Sequence, residues 1–340
     1  VEVYDFEAHF YTKSCVNVLL KNRGCPRYVR DEKRDVYWLY CTPRAQEPHA
    51  RRLLEKLLDV EEKRLRDMDY AGVKVQVLSL SAPGCEQFGA KLGSKLARAV
   101  NDELSRMVDR NPDRFIGLAA LAPQDPGEAA DELERTVRDL GFKGWKTHSN
   151  IRGEYLDSKK FWPVLEKAEK LGVPIFIHPT IPWIRELSEP YGYTIAGPAF
   201  GFVVEPVLCV MRLIWGGVFD RSPNLKVVLG HFGEALPFLI DRIDFPRVRP
   251  WVYENLEFKI LKRPSECLKN NVYILTSGAF PMPAMTAAVQ IMGSDRVMFG
   301  SDYPYEDSAE AVKRFESLPL SREDKEKIYA LNAKRLLKVD

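Results

Sequence analysis

Near its start the chain reads V-Y-D-F-E-A-H-F over 3–10, with Glu7 and His9 separated by one residue. In an extended strand, residues two apart project from the same face. A carboxylate and an imidazole so placed point together into whatever that strand lines, and such oxygen and nitrogen donors suit a divalent metal. E-x-H alone also describes an ordinary strand end with an exposed Glu and a hydrogen-bonded His. Three further residues shift the balance. His178 closes V-P-I-F-I-H (173–178), His231 closes L-K-V-V-L-G-H (225–231) and Asp302 closes R-V-M-F-G-S-D (296–302). Only five histidines occur in the chain, and three of them end short apolar runs. Glu7, His9, His178 and Asp302 make two carboxylates and two imidazoles, a set for one divalent ion per chain (zinc, manganese or magnesium). Two carboxylates argue against a structural zinc centre, which prefers thiolates.

The elements that must position these groups follow from periodicity. Short runs rich in β-branched and aromatic residues at 3–10, 73–80, 115–121, 142–146, 173–178, 225–231, 272–276 and 296–302 predict eight strands. Helical patterns at 53–71, 89–111, 126–140, 158–171, 199–219, 234–245 and 282–292 separate them, and helices over 309–318 and 322–337 finish the chain. Strands alternating with helices imply an α/β protein with a parallel sheet. Eight units predict a (β/α)8 TIM barrel, whose chemistry gathers at the carboxyl ends of the strands, where all five singled-out residues fall. An open doubly wound sheet is the alternative, but the first turn lacks a G-x-G-x-x-G cradle. Residues 11–50, punctuated by Cys25-Pro26, Thr42-Pro43 and Glu47-Pro48, read as a long irregular first βα loop and a functional lid. With no linker visible, 1–340 is expected to form a single domain.

Composition narrows the function. Fifty basic against 48 acidic residues leave a net charge of +2 with no basic tract, so neither nucleic acid nor an anionic membrane is an expected partner. No apolar run reaches the length of a membrane span. Six cysteines without a C-x-x-C pair fit a cytoplasmic protein better than a disulfide framework, although Cys15, Cys25 and Cys41 share one region.

Longer motifs then become informative: F-E-A-H-F at 6–10, A-P-Q-D-P at 122–126, I-H-P-T at 177–180, G-H-F-G-E-A-L-P-F at 230–238, R-I-D at 242–244 and F-G-S-D-Y-P at 299–304. On these the chain resembles the amidohydrolase superfamily. Within it the chain is similar to the non-oxidative decarboxylases of the aminocarboxymuconate-semialdehyde decarboxylase-like branch, which act on resorcylates, dihydroxybenzoates and carboxyvanillate. Hydrolytic members usually open with H-x-H; here the opening is Glu7-Ala8-His9.

The resemblance implies a metal-dependent decarboxylase of an ortho-hydroxy aromatic carboxylic acid. Glu7, His9, His178 and Asp302 would be the ligands, Asp302 also the proton donor, and His231 a catalytic residue beside them. Glu234 would orient His231, or else serve a helix N-terminus. Arg242 would pair with a substrate carboxylate from a neighbouring subunit of a homodimer or homotetramer, or else form a surface ion pair. Lys146 is not expected to bridge metals. His148 is either a substrate contact or a strand cap. Tyr303, with Phe10, Tyr11, Trp183 and Phe200, could line an aromatic-sized pocket. The competing function is a mononuclear metal-dependent hydrolase of a lactone, amide or similar carbonyl, using the same ligands; carbon dioxide release against ester hydrolysis separates the two.

Overall fold

A computed structural model describes all of residues 1–340. Eight parallel strands close on themselves: β1 (Tyr4–Phe10), β5 (Val75–Leu80), a strand broken into β6 (Phe115–Gly117) and β7 (Ala119–Ala120), then β8 (Trp145–His148), β9 (Ile175–His178), β10 (Val227–Leu229), β11 (Val272–Leu275) and β12 (Val297–Met298). The last joint is made beyond β12, where Phe6 N donates to Phe299 O (2.9 Å) and His9 N to Tyr303 O (2.6 Å). Helices on the outside cover the strands, as the alternating pattern requires. Two apolar layers result. An inner one holds Tyr4, Phe6, Val77, Phe176, Leu275 and Met298, closed below by Leu336 and Leu337 of the terminal helix. The other, of 72 buried residues, contains the contacts between strands and outer helices.

Three expectations need correction. The first connection is ordered, not irregular: a helix over Lys13–Lys21 precedes an antiparallel sheet of β2 (Arg27–Asp31), β3 (Val36–Thr42) and β4 (Ala45–Ala50). The fourth barrel strand starts at Trp145 rather than 142. Gly144 lies where a Cβ would come within 2.9 Å of Pro174 O, so the chain closes up before it pairs. No helix runs over 234–245. His231, Phe232, Glu234 and Ala235 all have φ near +50°, Leu236–Leu239 forms one 3-10 turn around Pro237, and residues 241–244 are a turn. Non-glycine residues in the left-handed region cost about 1–2 kcal/mol each, and such strain gathers at working sites. All six cysteines are free, and no helix is long and apolar enough to cross a membrane.

Candidate metal centre and substrate cavity

Strand β1 presents its two candidate donors through a break in its own alternation. Tyr4 and Phe6 face the barrel interior with the inner core, while Ala8 and Phe10 join the outer one. Between Asp5 and Ala8 the register to β5 shifts, as at a β-bulge. The extra residue moves Glu7 to the same side as Phe6, so Glu7 and His9 both point inward above the apolar plug. Glu7 then needs room from two neighbours. A Cβ on Gly230 would lie 2.8 Å from Glu7 Oε1, and one on Gly300 would lie 3.0 Å from Glu7 Cβ. Ser277 Oγ donates to Glu7 Oε2.

Around this carboxylate the other singled-out residues converge. His9 Nε2 lies 3.0 Å from Asp302 Oδ1 and 3.9 Å from Glu7 Oε1. His178 Nε2 lies 3.6 Å from Glu7 Oε1 and 3.9 Å from Asp302 Oδ1. Four atoms there, Glu7 Oε1, His9 Nε2, His178 Nε2 and Asp302 Oδ1, are buried without a hydrogen-bond partner. Buried polar atoms are normally satisfied, so four orphans facing one point fit a cation. Two donors each about 2.1 Å from one ion lie at most about 4.2 Å apart, and these spacings respect that limit. His178 Nδ1 sits 2.9 Å from Pro179 O, which places its proton there and leaves Nε2 bare for a metal. A divalent ion therefore fits the residues present.

His231 stands at the edge of this group. Its Nε2 is 3.9 Å from Glu7 Oε1 and 3.8 Å from Asp302 Oδ2, and Glu7, His178, His231 and Asp302 offer donor atoms within 4.8 Å of one another. His9 and His231 thus compete for the fourth ligand position. His9 is wholly buried and its Nε2 has no other partner. His231 lines the open cavity and its Nδ1 is held by Glu234 Oε1 at 2.5 Å.

Burial dominates the electrostatics. It pushes the Glu7 carboxyl up to about 8, opposed by the charge of His231. It pushes His9 and His178 down, against the pull of Asp302. Burial also works to raise Asp302, yet the His178, His231 and His9 imidazoles gathered around it hold it well below the usual carboxylate range. His231 goes the other way: burial would lower it, but Glu234 and Glu7 raise it well above an ordinary imidazole. A bound divalent cation would be the largest local charge and would keep Glu7 ionised.

A cavity of about 610 Å³ opens onto His178, His231, Glu234 and Asp302. Other expected site residues stand elsewhere. Tyr303 is buried with its hydroxyl on Asp67 Oδ2 (2.9 Å) and the Arg64 guanidinium over its ring, outside the cavity. His148 is buried too, with Nδ1 2.6 Å from Glu86 Oε1 and Nε2 2.6 Å from Lys146 Nζ, so both nitrogens are taken by protein. Burial pushes Lys146 down to about 7 and Glu86 up to about 7, each opposed by the other's charge. Arg242 is exposed in the turn after the strained segment and does not reach the cavity of its own chain. The aromatic walls come instead from Tyr193, Phe202, Phe280 and Tyr305. Tyr305 lies two residues past Tyr303, and its hydroxyl is 2.6 Å from Ser81 Oγ. Glu47, from the supposed irregular loop, also faces the cavity.

Comparison with known proteins shows the family. Residues 4–339 match the amidohydrolase family. A gamma-resorcylate decarboxylase of Polaromonas sp. strain JS666 is 34% identical over 296 residues, covering 85% of this chain and 90% of that protein. A 5-carboxyvanillate decarboxylase from Sphingomonas paucimobilis has a solved structure that superposes with a TM-score of 0.88 at 33% identity, covering 100% of this chain and 99% of the other. A dihydroxybenzoic acid decarboxylase from Polaromonas sp. JS666, solved with bound manganese and the inhibitor 2-nitroresorcinol, gives a TM-score of 0.84 at 31% identity. It covers 99% of this chain and 97% of its own.

Proposed function

Because this chain belongs to the amidohydrolase family, we propose that it is a metal-dependent, non-oxidative decarboxylase of an ortho-hydroxy aromatic carboxylic acid. The observation that carries this reading is the set of four buried, unpartnered donor atoms on Glu7, His9, His178 and Asp302, gathered behind an aromatic-walled cavity that reaches them through His178 and Asp302. Relatives named as decarboxylases of hydroxybenzoates, one with manganese bound, support it. Those four residues would hold the ion, with manganese the first candidate. When bound, it supplies Lewis acidity and a template for the substrate's carboxylate and phenolic oxygen.

The chain's own residues do the rest. Asp302, ionised in the free protein, takes the phenolic proton as substrate enters and returns it to the ring carbon bearing the carboxylate. The carbon–carbon bond then breaks, its electron pair restores aromaticity and carbon dioxide leaves. His231, kept protonated by Glu234 and Glu7, donates from Nε2 to the oxygen on which negative charge gathers. Glu234 fixes its ring through Nδ1. The apolar wall of Phe202 and Phe280 excludes water and holds the ring plane.

Arg242, exposed beside Phe238, Leu239 and Phe245, is assigned to the facing cavity of a second copy in a homodimer or homotetramer. One domain over 1–340 and a cytoplasmic location belong to the same reading. The test is a panel of ortho-hydroxybenzoates offered to manganese-loaded protein, with carbon dioxide release followed beside hydrolysis of lactones and esters. Release from at least one benzoate, abolished by chelation, is expected; hydrolysis without decarboxylation overturns the proposal.

A further inference from the structure

The cavity that opens onto Asp302 and His231 is short of positive charge. Of its 18 lining residues none is lysine or arginine, whereas Glu47, Glu234, Asp302 and Glu306 are acidic. Three of these acids are accounted for. Asp302 faces three imidazoles, Glu234 holds His231, and Glu306 pairs with Arg314 Nη1 at 3.2 Å. Glu47 is different. It is 6% exposed, on the buried face of β4. His49 Nε2 comes within 3.1 Å of its Oε1 but is not aligned as a hydrogen-bond donor. His49 is fixed instead through Nδ1, 2.6 Å from the Tyr28 hydroxyl. Tyr193 stands beside Glu47 with its hydroxyl directed at that carboxylate, the phenol being pushed up by burial and then by the Glu47 charge. A carboxylate offers about four acceptor positions; Tyr193 fills one of them, and leaving the rest empty in a buried wall is unfavourable.

We propose that Glu47 is a specificity-determining residue that receives a hydrogen-bond donor, a phenolic hydroxyl or an amino group, on the substrate's aromatic ring and rejects rings bearing a second carboxylate. This rests on the decarboxylase reading and names its substrate class. A second ring carboxylate beside Glu47 would meet no lysine or arginine of this chain in the cavity wall, and the two like charges repel, which is discrimination by an unfavourable contact. Arg242 from a second copy brings a single guanidinium, matched to the one carboxylate that reacts. A donor-bearing ring meets the opposite situation, because a hydrogen bond to a charged partner is among the stronger kinds.

Full-length, manganese-loaded protein is titrated with salicylate, with hydroxy- and aminosalicylates substituted at each ring position, and with the carboxysalicylates. Equilibrium binding and kcat/KM are measured for wild type and Glu47→Gln. At least one donor-bearing ring should bind roughly 10- to 100-fold more tightly than salicylate, and every carboxysalicylate more weakly. Whether hydroxyl or amine ranks first identifies the donor. Glu47→Gln should bring the donor ring to within about threefold of salicylate and improve the carboxysalicylates roughly tenfold or more. Manganese content and circular dichroism establish that the variant is folded; should it not fold, the wild-type ranking decides alone. Unchanged ratios in the folded variant, a carboxysalicylate bound as tightly as the best donor ring, or no binding by any ring overturn the proposal. The expected ranking in binding with no decarboxylation would leave Glu47 assigned and overturn the decarboxylase reading instead.

Discussion

Replacing Asp5 should loosen the metal centre without touching a ligand. Asp5 is fully buried and accepts four hydrogen bonds: from Glu7 N (3.2 Å) and Ser301 N (2.8 Å) at Oδ1, and from Ser301 Oγ (2.6 Å) and Gln76 Nε2 (3.2 Å) at Oδ2. These donors lie on β1, on β5 and in the segment carrying Asp302, so one carboxylate ties two proposed ligands to a common point. Asp5→Ala strands four donors at about 1–3 kcal/mol each. Part of that is returned, since burial pushes the Asp5 carboxyl up from 3.8 to about 6 and removing a disfavoured charge gains about 3 kcal/mol. A net loss of roughly 5 kcal/mol remains at the middle of that range, or about 7 °C in Tm for a chain of 340 residues. Asp5→Asn keeps the shape and an acceptor for both backbone N–H groups, and the Ser301 hydroxyl can turn to accept from the new amide, but Gln76 Nε2 loses its acceptor. It should cost about 1–3 kcal/mol. Scanning calorimetry of metal-free protein reads the stability, and manganese titration reads the site. There Asp5→Ala should weaken binding roughly 10- to 100-fold, as loss of an outer-shell partner does. An alanine variant with wild-type Tm and wild-type manganese affinity would refute the reasoning.

His178→Ala should purify with little metal, because one of four proposed ligands is lost, whereas His231→Ala should keep about one ion per chain and lose roughly 10²–10³ in kcat; elemental analysis showing equal metal loss in both would exchange His231 for His9 among the ligands. Arg242→Ala and His231→Ala, each nearly inactive, should recover part of the activity when mixed. Subunit exchange is verified by mass spectrometry of tagged chains, and exchange without recovery would confine Arg242 to its own chain or to no role. Glu205 is buried against Tyr155 and Asn150, and burial pushes its carboxyl up to about 7. An acid raised in the fold keeps a proton that the unfolded chain has released, so its contribution is full below about 4.5 and is lost as pH rises through about 7. Relative to Glu205→Gln, wild type should therefore lose up to about 3 kcal/mol between pH 5 and pH 8; urea midpoints that run parallel across that range would contradict the assignment.

The barrel was legible because its signals are local and repeated. Apolar strand runs followed by capped helices survive any uncertainty at their ends, and a residue closing such a run lands at the carboxyl face of the sheet. That is how His178 was found, and Glu7 with His9. What failed were inferences that extended a regular period across an irregular place, or read as irregular a strand whose period is inverted. The helix expected over 234–245 assumed that the residues after His231 obey the right-handed region, but four of them do not. With the helix gone, Arg242 sits in an exposed turn rather than on a helical face. Tyr303 was expected to line the pocket, yet the left-handed φ of Asp302 (63°) turns the following backbone. Tyr303 then packs under Arg64, and Tyr305 reaches the cavity.

The first connection shows why such a failure is informative. Strand β4 alternates perfectly in burial, one residue in and the next out, over Ala45–Ala50. Its buried face carries Glu47 and His49 while Pro48 lies outside, so the hydrophobic period that announces a strand is inverted and the segment reads as a loop. A sequence under no demand but stability would put apolar residues on that face. Burying a carboxylate and an imidazole there costs free energy that the fold alone does not repay, and the same is true of the left-handed turn at His231 and the bulge at Glu7. Glu47 and the His231 turn line one cavity, the bulge places Glu7 against the His178 and Asp302 that line it too, and natural sequences break local rules mainly where a site requires it. The proposed ring donor for Glu47 and the proposed ion for Glu7, His9, His178 and Asp302 thus rest on one argument, that a buried polar group facing a cavity is there for what enters it.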